Sequence, residues 1–97
     1  MSEGKRRARL RALANGIDPC FQIGKGGINE NMLADLSAAL DAHELIKITV
    51  LRNAAGDARE FMHELSSALG AEEVAVIGNR IVLYRRSTRE GVKHIEI

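Results

Sequence analysis

Apolar positions along the chain change their period several times, and each change marks an element. Over residues 3–15, Leu10, Leu13 and Ala14 recur at helical spacing, Lys5 and Arg9 share the opposite side, and Asn15-Gly16 supplies a stop. Residues 19–23, PCFQI, read as a short strand. A helical pattern returns over about 30–42, with Asn29 as N-cap and Leu33, Leu36 and Leu40 on one face. ELIKITVL, residues 44–51, is rich in β-branched residues and short enough to be a strand. A third helix is predicted near 57–69, where Asp57 and Glu60 have capping-box spacing, Phe61, Leu65, Ala68 and Leu69 form the stripe, and Gly70 closes it. EEVAVI and RIVLY flank Gly78-Asn79, a two-residue hairpin signal. From Ser87 onward the pattern fades, which predicts a compact part over about 3–86 and a loosely held tail over 87–97.

A helix followed by βαβαββ predicts an α/β fold. Its strand-helix-strand units favour parallel neighbours, its last hairpin is antiparallel, and the result is a mixed four-stranded sheet packed with helices. The 97 residues suit one domain, 1–97, with no repeat or linker. No apolar run approaches the roughly 18 residues that span a bilayer. Neither a secretory signal nor a separate transit segment is recognisable, so a cytoplasmic protein without membrane contact is expected. A monomer is the default, because no extra apolar surface is evident. The single cysteine, Cys20, cannot form an internal disulfide, is expected to be a small buried hydrophobe, and with only scattered histidines makes no metal site.

Net charge is +1, but the charges are segregated. Residues 1–28 carry six basic side chains against two acidic, residues 29–75 three against nine, and residues 76–97 five against two. Such a chain has a basic and an acidic face, and a basic face attracts phosphates whatever the average charge. Five of the seven residues from Lys5 to Arg11 are basic, more than solubility requires. Lys5 and Arg9 point away from the apolar stripe and are the better candidates for phosphate contact, whereas Arg6 and Arg7 lie nearer it and can bury their stems.

Between the first strand and the second helix stands Gly24-Lys25-Gly26-Gly27. A loop running from a strand end into a helix start presents backbone N–H groups and the positive end of the helix dipole, and glycines let a bulky phosphate approach. Lys25 adds a mobile positive charge. The loop lacks the order of a P-loop, because Lys25 precedes the later glycines and no Ser or Thr follows. It also fails as a dinucleotide fingerprint, with Asn29 at the third glycine position. It does satisfy G-x-x-G, the backbone clamp of KH-type RNA-binding domains. The plain alternative is a glycine-rich turn with an exposed lysine. A basic first helix, an adjoining helix start and Arg85-Arg86 at the end of the last strand favour the clamp.

With IGKGGINENMLADLSAALDAHELIKITVL followed by VAVIGNRIVLYRR, the chain resembles the YhbY-type RNA-binding family, also called the chloroplast RNA splicing and ribosome maturation (CRM) domain. The resemblance rests on the glycine-lysine loop after an apolar strand, HELIK at 43–47 and the hairpin from Val76 to Arg85, and runs from about Lys5 to Arg86. It implies a compact α/β domain similar to the C-terminal domain of bacterial translation initiation factor three. It further implies binding of structured RNA, in stand-alone bacterial members the large-subunit ribosomal RNA or its precursor particle, with Gly24, Lys25, Gly26 and Gly27 as the contacting loop.

His43 and Glu44 stand where a helix meets a strand, a place for capping rather than acid/base chemistry, since no nucleophile or second base is visible. Lys47 alternates with Ile46 and Ile48, so it is either a solvated lysine at the sheet edge or part of the RNA surface. The aromatics Phe21, Phe61 and Tyr84 all fall in patterned segments and are expected in the core. Stacked single-stranded bases need exposed rings, so phosphate positions and helix shape are the expected targets. The sequence thus predicts a non-catalytic RNA-binding module without cofactor, metal or small-molecule substrate, contacting RNA through Gly24 to Gly27, Lys5, Arg9, Lys47, Arg85 and Arg86. The alternative is a small nucleotide- or phosphate-binding protein or enzyme using the same loop. A protein partner for the acidic middle segment is compatible with the first reading.

Overall fold

A computed structural model describes residues 3–97, so the first two positions of the expected domain lie outside the described residues. The elements are α1 (Glu3–Ala14), β1 (Phe21–Ile23), α2 (Glu30–His43), β2 (Leu45–Val50), α3 (Ala58–Leu69), β3 (Glu72–Ile77) and β4 (Arg80–Tyr84), in the order the pattern predicts. Both expected caps are made: Asn29 Oδ1 accepts from Met32 N at 2.9 Å and Asp57 Oδ1 from Glu60 N at 2.8 Å. β1 starts later than expected because Pro19 has no N–H to continue a ladder. Cys20 N still donates to Lys47 O at 2.9 Å.

The sheet order is β1-β2-β4-β3, with β2 parallel to β1 and β4 antiparallel to both of its neighbours. Strand alternation sorts the side chains into two cores. Ile23, Ile46, Ile48, Val50, Ile81 and Leu83 face α2 and α3, meeting Leu36 and Leu40 from one helix and Phe61, Met62, Leu65 and Leu69 from the other. On the opposite face, Leu45, Val82 and Tyr84 pack against Leu10 and Ala14 of α1. A bulge in β3 between Glu73 and Ala75 lets Val74 join this second core.

Three expectations change. Leu13 lies at the margin of the α1 stripe and is 38% exposed, and on α3 Met62 is buried where Ala68 was expected. Cys20 is exposed, not buried, because it alternates with Phe21 onto the α1 side of the sheet, and α1 lies mainly over β2, β4 and β3. That leaves Gln22, Thr49 and Arg80 on an open strip, where Thr49 stands opposite both of the others.

The tail is not loose. Glu44, the link between α2 and β2, adopts φ 67, unusual for a residue with a Cβ. Its side chain is fully buried and its carboxylate accepts from Ser87 N (2.7 Å), Ile95 N (2.7 Å) and His94 Nδ1 (2.6 Å). Ser87 Oγ donates to Asp41 O at 2.6 Å, and Ile95 and Ile97 pack on the second core. Glu44 therefore has a structural role, served by clamping the tail, while His43 beside it is exposed. Contacts 43 to 51 residues apart leave no local periodicity, so the sequence pattern could not register them.

Burial alone would raise the Glu44 pKa, yet the His94 bond and the Ser87 and Ile95 amides outweigh it and hold the carboxyl below its ordinary value. A depressed folded pKa means that the stability from Glu44 is complete above the ordinary carboxylate range and is lost as pH falls through the depressed value. Glu44→Gln should lower stability at neutral pH by about 1–3 kcal/mol, since an amide serves these three donors poorly. Thermal melts of both proteins between neutral and acid pH should show a gap that narrows on acidification. A constant gap would contradict this role of the charge.

Candidate nucleic-acid interface

Parallel pairing makes β1 and β2 exit the sheet at the same end, so the loops 24–29 and 51–57 lie side by side. Leu51 N donates to Ile23 O at 2.8 Å, carrying the ladder into the loops. The β3-β4 hairpin joins them there, as Val50 N donates to Asn79 O at 2.7 Å and Asn79 Nδ2 to Val50 O at 3.2 Å. α2 and α3 both begin at this end, so the positive ends of both dipoles face it. Clefts beyond the carboxyl ends of parallel strands are where open α/β sheets bind ligands.

Within the first loop, Gly27 N donates to Gly24 O at 3.0 Å and closes a turn that holds Lys25 and Gly26 at an exposed tip. Gly27 has φ 67, where a side chain would be strained. Gly26 differs: its φ is not positive, and an added Cβ would meet nothing within 4 Å. Neither backbone conformation nor internal packing requires glycine at position 26. A bare backbone at an exposed tip is what close approach by an outside group requires. Arg52 and Arg80, exposed on the neighbouring segments, add positive charge near Lys25, while Glu30 in the first turn of α2 opposes it. Sequence reading missed both arginines, although the register that puts Arg80 opposite Thr49, right after the hairpin, would have found one.

The other basic candidates divide among three places. Lys5 and Arg9 lie on exposed turns of α1, and Arg9 Nε donates to Glu96 O of the tail at 2.6 Å. Lys47 is half-buried on a central strand, not at the sheet edge, and shares a cleft with Arg9 and Lys93. Arg86 is exposed beside Arg6 and Tyr84. Arg6 does bury its stem, with its guanidinium 5.2 Å from the Tyr84 ring centre and paired with Glu72, whereas Arg7 is exposed.

Arg85 departs from expectation. Its Nη1 donates to Leu69 O at 2.8 Å, and its Nη2 to Ser37 O at 2.9 Å, Ser37 Oγ at 3.0 Å and Asp41 Oδ1 at 3.1 Å. Leu69 ends α3, so Arg85 satisfies an orphan helix carbonyl and complements the negative end of the dipole. Alternation explains the difference: Arg85 continues the Ile81 and Leu83 face toward α2 and α3, while Arg86 follows Tyr84 to the other. Arg85 is a structural tie between β4 and two helices.

Comparison with known proteins places this arrangement among relatives. The family model described as CRS1 / YhbY (CRM) domain matches residues 3–85. The Bacillus subtilis (strain 168) protein named "Probable RNA-binding protein YqeI" is 41% identical over 97 residues, covering 100% of this chain and 99% of the relative. A Haemophilus influenzae protein named as an RNA-binding protein is 37% identical over 87 residues, 86% of this chain and 84% of its own. The solution structure of a Staphylococcus aureus protein, described as a candidate RNA-binding protein, superposes with a TM-score of 0.76 at 47% identity, covering 98% of this chain and 100% of that one.

The loop geometry makes a prediction of its own. Gly26→Ala should leave stability unchanged or raise it by about 0.4–1 kcal/mol, through a less flexible unfolded chain. Gly27→Ala should cost about 1–2 kcal/mol, because alanine must adopt the left-handed conformation. Denaturant titration of both variants checks the contrast, and equal effects would contradict the turn described.

Proposed function

The chain belongs to the CRS1/YhbY (CRM) domain family, and on that premise we propose that it binds structured RNA as a single non-catalytic domain, with the loop Gly24 to Gly27 as its principal contact. The observation that carries this reading is Gly26, a glycine at an exposed tip that nothing inside the protein requires. Beside it, Lys25 supplies a mobile cation and the adjoining helix starts supply oriented amides. Arg52 and Arg80 extend the contact at this end of the sheet, while Lys5, Arg9, Lys47 and Arg86 offer further contacts at separate places on the α1 side. Arg85 is left out, because its donors serve Ser37, Asp41 and Leu69.

The aromatic side chains support a target read by phosphate positions. Phe61 and Tyr84 are buried and Phe21 is half-buried, so none of the Phe and Tyr rings is exposed as a stacking platform. The family resemblance favours large-subunit ribosomal RNA, or a precursor particle, as the target, with the protein assisting assembly; a cytoplasmic monomer is the accompanying expectation. No helix among the described residues is long and apolar enough to cross a membrane.

Each phosphate contact releases counterions, so affinity for a folded ribosomal RNA fragment should fall with salt at a log-log slope of roughly 0.7–0.9 per contact. Lys25→Ala should weaken binding and reduce that slope by about one contact's worth. Gly26→Ala should weaken binding without loss of stability. Fluorescence anisotropy at several salt concentrations reads both effects. An unchanged slope in Lys25→Ala removes Lys25 from the interface, and thermal stabilisation by a mononucleotide but not by RNA would favour the nucleotide-binding alternative.

A further inference from the structure

On the α1 side of the sheet, at the end opposite the glycine loop, lies an open cleft of about 710 Å³ between α1, the start of β2 and the tail. Leu13, Ile17 and Leu45 supply an apolar lining, and Leu13 is one of the two large hydrophobic side chains left exposed among the described residues. Arg9, Lys47 and Lys93 stand around them. The tail wall, residues 93–96, is held in place by the Glu44 carboxylate through His94 and Ile95 and falls beyond the family match, which ends at residue 85.

We infer that this cleft receives one unpaired nucleotide of the bound RNA, a deepening that rests on the RNA-binding reading above. A phosphate alone would gain nothing from an apolar lining, whereas a nucleotide turned out of its helix brings a flat apolar base together with a phosphate. The base covers Leu13 and Ile17, and its phosphate meets Lys47 and Lys93. Asp18 and Glu96 also line the cleft, and acceptors there suit the exocyclic amino groups of bases, which phosphate recognition alone would not use. The volume lies within the range of small-ligand sites, roughly 300–1,000 Å³. Position also favours RNA over a peptide. From Lys47 the open strip leads through Thr49 to Arg80 beside the glycine loop, so one strand can touch both places.

Two hairpins with the same stem, one fully paired and one with a single bulged nucleotide, separate this inference from the reading beneath it. The intact chain should bind the bulged hairpin about tenfold more tightly, a modest gain for burying one base against aliphatic side chains. Lys93→Ala and Leu13→Ser should bring that ratio to within about twofold, with thermal melts showing both variants still folded at the assay temperature. Lys25→Ala should weaken both hairpins alike and keep the ratio. A 4-thiouridine at the bulge should cross-link to residues 12–20 or 93–96. Equal affinity for the two hairpins, a ratio indifferent to Lys93 and Leu13, or a cross-link elsewhere would overturn the cleft assignment and leave a peptide as its occupant. Failure of Lys25→Ala to weaken either hairpin would count instead against the loop.

Discussion

The bond from Leu51 N to Ile23 O, one residue past the paired ends of β1 and β2, marks the constraint on which the rest depends. Parallel strands must leave the sheet in the same direction, so two loops and two helix starts converge at one end. An antiparallel arrangement of the same strands would send those helix starts to opposite ends. With the strands parallel, the glycine turn lies against Leu51 and Asn53, and the hairpin at Asn79 is drawn to Val50. Lys25, Arg52 and Arg80 are exposed on the three segments that meet at this end, although they are far apart in sequence.

The opposite end is organised by a buried charge. A carboxylate without water needs several donors, and Glu44 finds them in the last eleven residues of the chain. Holding those donors fixes the wall of the cleft beside α1. Arg85, on the other face, likewise ties β4 to α2 and α3. The two charged groups at these strand ends therefore serve structure. Lys47, farther along the central strand, belongs to the α1 side through simple alternation with Ile46 and Ile48.

Much of this was legible in the sequence, for identifiable reasons. Helices and strands declare themselves by local period, and the caps at Asn29 and Asp57 are contacts three residues long. The glycine turn before a helix start was readable for the same reason. What escaped was set by long-range contact. Ser87, His94 and Ile95 carry no pattern that announces Glu44 as their partner, and the tail therefore looked loose. Arg85 and Arg86 read as a pair in one dimension, yet adjacent residues on a strand point to opposite faces. Cys20 was misjudged because nothing local tells that α1 stops short of β1. Lys93 joins Arg9 and Lys47 only once the tail is docked.

The central claim is that backbone amides at the Gly24 to Gly27 turn take up phosphate oxygens of folded RNA. Titrating 15N-labelled protein with a folded ribosomal RNA fragment and following its amide resonances tests this most directly. The account predicts the largest shifts at Lys25, Gly26 and Gly27, with further shifts at Arg52 and Arg80. Resonances of these residues that stay fixed while others move would place the RNA elsewhere and contradict the account.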